Sequence, residues 1–152
     1  MDKVLHKSIR IGCDTDLAFE LFTDNNHLSS WFPVEADVEP VVGGKYELFW
    51  DPDDKENNST IGCKVTAVEP GKLIAFEWKG PLEFKEFMNN ADPLTHVVVL
   101  FFPSANGSDS YTDVHVIHSG WRSNSDWEKA VQFFDWAWDE ELQELLEYVR
   151  KL

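Results

Sequence analysis

From Trp127 to the C-terminus, apolar residues recur every three or four positions: Trp127, Val131, Phe134, Trp138, Leu142, Leu145, Val149 and Leu152. This spacing predicts an α-helix with one continuous apolar stripe. Ser125-Asp126-Trp127-Glu128 reads as a capping box, with Ser125 as the N-cap and Glu128 reaching back to it. At 1.5 Å per residue the helix would be roughly 40 Å long. Phe133, Trp136 and Ala137 widen its apolar face in the first half only. Glu140, Glu141, Glu144 and Glu147 give the second half a solvated back. A helix apolar over so wide an arc must be wrapped by something curved.

The residues upstream supply strands for that wrapping. Val4 to Ile11 alternates as a strand does. Asp14 can cap a short helix whose apolar face is Leu17, Ala18, Leu21 and Phe22, and a second short helix runs from Asn25 until Pro33 stops it. Val34–Val42 and Lys45–Trp50 read as extended around Gly43-Gly44, followed by an acidic loop, Asp51–Ser59. Ile61–Val68 and Leu73–Lys79 read as a hairpin about Glu69-Pro70-Gly71-Lys72. Thr95–Phe102 is apolar on both faces and is expected to be central and covered on both sides. Asn106-Gly107, within the turn Ser104–Ser110, joins it to a last strand, Tyr111–Ser119. The segment Gly80–Leu94 is long for a connection and carries Phe84, Phe87 and Met88, as a lid or binding loop would. The expected architecture is α+β: a helix-grip fold, with a curved antiparallel sheet around the long C-terminal helix, in one domain spanning 1–152.

Charge and composition exclude several function classes. The net charge of −15 leaves no clustered Lys and Arg for nucleic acid or anionic lipid headgroups. Cys13 and Cys63 are too few for a disulfide framework and form no C-x-x-C pair. No stretch approaches the roughly 20 apolar residues of a membrane span, and Met1–Arg10 has no apolar signal core, so a cytoplasmic location is expected. Asn57-Asn58-Ser59 and Asn106-Gly107-Ser108 match the glycosylation sequon but carry no meaning without a secretion signal.

Several separated signals, in this order, resemble one family: Thr23-Asp24 with Trp31-Phe32 after it, Gly43-Gly44-Lys45-Tyr46, Gly62, Val68-Glu69-Pro70-Gly71-Lys72-Leu73, Trp78, and His118-Ser119-Gly120-Trp121. The chain resembles, over nearly its whole length, the Hsp90-ATPase-activator C-terminal-domain family (AHSA1-like), within the START-like (SRPBCC) superfamily. The resemblance implies a helix-grip fold with a cavity between the concave sheet and the last helix. It also implies a role in binding lipids, sterols or other apolar molecules, aromatase/cyclase chemistry in some relatives, and a link to chaperones and the stress response. The chaperone activators grip their partner through an upstream domain that these residues lack, so no stimulation of an Hsp90 ATPase by this chain alone is expected.

The chemistry visible in the residues is sparse. His115 and His118, three apart in a strand, point to opposite faces and cannot chelate together. No histidine stands at a ligand spacing from Asp, Glu or Cys, so neither metal nor cofactor is expected. Asp51-Pro52-Asp53-Asp54-Lys55-Glu56 fails the EF-hand pattern at Glu56 and Gly62. Neither G-x-S-x-G nor a glycine-rich phosphate loop is present. His118 reads either as an anchor or general acid at a cavity wall or as a satisfied structural histidine. Seven Trp and eleven Phe are the strongest positive signal. Trp31, Tyr46, Trp50, Trp78, Phe87, His118, Phe134 and Trp138 are the candidate lining of a pocket; the same faces could instead close into a filled core.

Three functions fit. The first is non-enzymatic binding of a small apolar molecule: a lipid, a sterol or an aromatic compound. The second is a cyclase- or hydrolase-like enzyme using the same cavity. The third is a protein-interaction module, including a co-chaperone. Abundant aromatics without an acid–base pair or nucleophile favour the first.

Overall fold

The computed structural model describes residues 3–107 and 109–152, so Met1, Asp2 and Ser108, the last within the expected turn Ser104–Ser110, lie outside the described residues. The elements in order are β1 (Leu5–Ile11), α1 (Thr15–Leu21), α2 (Asn25–Trp31), β2 (Glu35–Val38), β3 (Tyr46–Phe49), β4 (Val65–Glu69), β5 (Leu73–Trp78), α3 (Lys85–Met88), β6 (Thr95–Asn106), β7 (Asp109–Ser119) and α4 (Ser125–Arg150). Five strands form an antiparallel sheet in the order β1-β7-β6-β5-β4, and β2 pairs with β3 beside it. Backbone bonds from Tyr46 to Cys63 and between Gly43–Gly44 and Val65 join β3 to the chain leading into β4. This is the expected helix-grip fold.

α4 runs unbroken for 26 residues, about 39 Å. Its cap lies one residue earlier than the capping box predicts. Asn124, in an extended conformation, accepts the Trp127 N–H on Oδ1 at 3.0 Å, and Ser125 is already helical. Asn caps as well as Ser does, and starting one position upstream it takes the Trp127 N–H where the capping box would have Ser125 take that of Glu128. Trp127, Val131, Phe134, Trp138, Leu142, Leu145 and Val149 are buried, as the stripe requires, whereas Leu152, expected to close the stripe, lies beyond the last helical residue and is exposed. They face the concave side of the sheet, where Ile74, Phe76 and Trp78 of β5, Val97, Val99 and Phe101 of β6, and Val114, Val116 and His118 of β7 are buried too. Lys7 on β1 bonds Asp135 and Asp139 and ties the outer strand to the helix.

Two expectations are corrected. β6 is covered on one face only: His96, Val98 and Leu100 are half-buried and Phe102 is 50% exposed. Their β-branched and apolar character serves pairing along the convex face, where Val98 meets Ile117 and Leu100 meets Leu73 across the strands. β4 starts at Val65 rather than Ile61. Thr60 replaces the ladder there: its hydroxyl donates to the Tyr46 carbonyl and accepts from the Leu48 N–H, both at 2.9 Å.

Gly120 fixes the exit from β7. Its φ is +91°, and a Cβ there would stand 3.2 Å from Thr95 Cα. The close approach holds the end of β7 against the start of β6, beside His118.

Candidate functional site

Between the second turn of the α4 aromatic cluster and the far end of β5 lies a cavity of about 300 Å³. Trp78 and Trp138 meet there with ring centroids 5.5 Å apart. Phe32, just after α2, stacks on Trp78 at 6.0 Å and lies 5.7 Å from Trp138. Trp50, just after β3, stands edge-on to Phe32 at 5.4 Å. Phe133, Phe134 and Trp136 complete the aromatic wall from α4, and Trp136 is 59% exposed at its edge. The polar lining consists of Asn58, Ser59, Lys79, Glu140 and Glu141.

Trp50, Trp78, Phe134 and Trp138 thus line the cavity. Trp31, Tyr46, Phe87 and His118 do not. Trp31 Nε1 donates to the Leu21 carbonyl at 2.7 Å and ties α2 to α1. Tyr46 is fully buried, stacked at 3.6 Å on Phe76, with its hydroxyl donating to the Phe22 carbonyl at 2.7 Å; burial pushes its phenol pKa up. Phe87 lies on α3 against Trp127, with ring centroids 5.1 Å apart. The segment expected as a lid is folded into a 3₁₀ turn (Leu82–Phe84) and α3; it gives the cavity only Gly80 and Pro81.

His118 is held from three sides. An indole N–H only donates, so the bond from Trp138 Nε1 at 3.1 Å makes Nδ1 the acceptor. The proton therefore sits on Nε2, which faces Thr95 Oγ1 at 3.1 Å. Its own carbonyl takes the Trp121 indole N–H at 3.0 Å. Burial, and to a lesser degree His96, pushes its pKa down to about 3. A neutral imidazole with both nitrogens occupied and no exposure is a structural group, not an acid positioned for a ligand.

Two residues of the cavity lining carry unusual polar groups. Trp78 Nε1 is buried without a hydrogen-bond partner, an uncommon state for an indole N–H. Glu141 is half-buried at the rim, and burial, together with Glu144 and Glu140, raises its pKa to about 7. The solvated back expected for α4 therefore does not include Glu141. Its position could be read from the helix period: 141 follows Ala137 by four and Trp138 by three, which sets it beside the aromatic wall. Phe133 and Trp136 carried a signal as well, the widened apolar arc. Phe32, Asn58, Ser59 and Lys79 come from segments whose meeting no local pattern announces.

Burial lifts Cys13 to about 11 and Cys63 to about 12, so neither supplies a thiolate. Among the described residues no group of three or more His, Cys, Asp and Glu could hold a metal ion, and no helix is long and apolar enough to cross a membrane.

Solved structures share this architecture. A Mesorhizobium loti protein is 18% identical, with a TM-score of 0.76 and 98% of each chain covered. The Aha1 dimer from Colwellia psychrerythraea is 16% identical, with a TM-score of 0.68, covering 97% of this chain and 96% of that one. An HSP90 activator from Plasmodium falciparum is 20% identical, with a TM-score of 0.60 and 86% of each chain covered. At these identities the likeness is one of fold. No curated protein matches the chain. The family model described as activator of Hsp90 ATPase homolog 1-like protein matches residues 13–150, and the chain belongs to that family.

Proposed function

We propose that the chain acts as one START-like domain that binds a small apolar ligand, without catalysis, in the cavity between α4 and the end of β5. The observation that carries this reading is the aromatic cavity itself. Seven ring systems line a volume of about 300 Å³ that α4 and the sheet leave unfilled. Its size suits a compact ligand rather than a long chain. Among the described residues lining the cavity there is no cysteine or histidine, and the Ser59 hydroxyl donates to the Lys55 carbonyl, which favours binding over turnover.

The cavity holds Trp50, Trp78, Trp136 and Trp138, so ligand entry should be visible in tryptophan emission. Apolar compounds should change the emission saturably and raise the melting temperature, because binding to the folded state alone stabilises it by mass action. Trp78→Ala should alter the response, and Glu20→Ala, on exposed α1 surface, should not. A set of fatty acids, sterols, aromatic acids and aromatic amines that gives no saturable response would sink the binding reading. A second reading, an interaction module related to co-chaperones, is supported by the family to which the chain belongs. A clear rise in Hsp90 ATP turnover at micromolar protein, with the ligand set silent, would put it first.

A further inference from the structure

We infer that the ligand of this cavity is an organic cation, an aromatic or otherwise apolar body carrying a protonated amine, with the amine set against Glu141 and the body among Trp50, Trp78 and Trp138. The inference rests on the binding reading above and narrows it to a ligand class. Three features of the wall agree on the sign of the charge.

Indole and phenyl rings attract a cation through their quadrupole, most strongly where water is excluded, and seven of the residues lining this cavity are Trp or Phe. The ionisable groups lining it are Glu140, Glu141 and Lys79, and Glu144 adds its charge from the next turn of α4. The ammonium of Lys79 donates to the Ile61 carbonyl at 2.6 Å, which fixes its position and leaves its charge in place, so the lining sets two carboxylates against one ammonium. An anionic ligand such as a fatty acid would meet two or three carboxylates in a protein of net charge −15. A neutral ligand would cover Glu141 further and leave its charge unpaired, which burial penalises. An ammonium turns that penalty into an ion pair, and its approach is also favoured by the field of the whole chain. The raised pKa of Glu141 agrees with this geometry: the carboxyl is partly desolvated, and among the described residues none forms an ion pair with it.

The test compares two probes of equal shape, naphthylmethylamine and naphthylmethanol, by calorimetry at slightly alkaline pH and physiological salt. The amine should bind at least ~10-fold more tightly than the alcohol. Glu141→Gln should bring the amine to the affinity of the alcohol and leave the alcohol within about twofold, and Glu20→Gln, on exposed α1 surface, should change neither. Equal binding of the two probes, or a preference for the amine that survives Glu141→Gln, would overturn the cation inference and leave the apolar pocket standing. If neither probe binds and Trp78→Ala leaves the tryptophan response to every compound unchanged, the pocket reading itself fails.

Discussion

The concave face of the sheet has two ends, built from the same materials and finished differently. At one end Phe22, Tyr46, Phe76 and Phe101 are packed with 0–3% exposure, and the buried hydroxyl of Tyr46 has its acceptor in the Phe22 carbonyl. At the other, Trp78 and Trp138 are equally buried, yet a cavity of about 300 Å³ adjoins them, Trp78 Nε1 has no partner and Glu141 is half-desolvated. His118 marks the boundary, with both ring nitrogens satisfied. Aromatic content alone does not separate core from site. The satisfaction of the polar atoms carried by the aromatics does, because a buried donor or acceptor left open costs free energy that folding alone does not recover.

The largest expected effect comes from the boundary. Trp138→Asp places a charge where a large ring is 2% exposed and removes the N–H that His118 Nδ1 accepts. An uncompensated buried charge costs several kcal/mol, comparable to the whole stability of a domain of this size. The variant should not fold, as read by the loss of near-ultraviolet circular dichroism. An unchanged denaturation midpoint would show that the sheet does not grip α4 at all.

A smaller effect distinguishes the two ends directly. Tyr46→Phe leaves the stacked ring and orphans the buried Phe22 carbonyl, so it should cost about 1–2 kcal/mol by chemical denaturation. Its effect on ligand affinity should stay within about twofold, since the ring does not line the cavity. Trp78→Phe removes a donor that has no partner and reshapes the cavity wall, so it should change affinity more than Tyr46→Phe does. If Tyr46→Phe abolished binding with little loss of stability, the filled and open ends would have been assigned the wrong way round.

How far the sequence foretells this depends on the range of the interactions. α4 and its stripe are legible because a helix writes its burial into a local period, and Asn124 differs from the expected Ser125 by a single position. The order of strands is legible from alternation and turns. The covering of β6 is not: Val98 and Leu100 are apolar for cross-strand packing, and a pattern of residues does not say whether a second layer lies over them. The site is half legible for the same reason. Trp78 and Trp138 follow from their own strand and helix faces. Phe32, Asn58 and Lys79 reach the cavity through tertiary packing. Tyr46 and His118 look like anchors in the sequence because they are polar among apolar neighbours, and only their partners reveal that they are already satisfied.

The smallest predicted effect is the most specific to the open end, and its sign follows from linkage. His118 and Glu141 both have pKa values displaced by burial, one a base and the other an acid, so their contributions to stability run in opposite directions with pH. The His118 pKa is lowered from 6.5 to about 3, so the unfolded chain binds its proton first, and the stability it contributes is lost as pH falls through that window. The Glu141 pKa is raised from 4.5 to about 7, so the folded chain holds the proton more tightly, and stability falls as pH rises through that window. Glu141→Gln keeps the shape and removes the charge. Relative to the parent it should therefore melt higher at about pH 8, where the parent carboxylate is ionised, and equally at about pH 4, below both pKa values, where it is protonated folded or unfolded. With the exposed part of the side chain discounted for solvent screening, the gain is on the order of 1 kcal/mol, or about 3 °C. His118 is the same in both proteins, so its acid destabilisation cancels in the difference. A gain of equal size at both pH values would point to relief of crowding in the Glu140–Glu144 run rather than to a desolvated carboxylate. No gain at either would mean that Glu141 is solvated at the rim, and an amine ligand would then have no desolvated charge to meet.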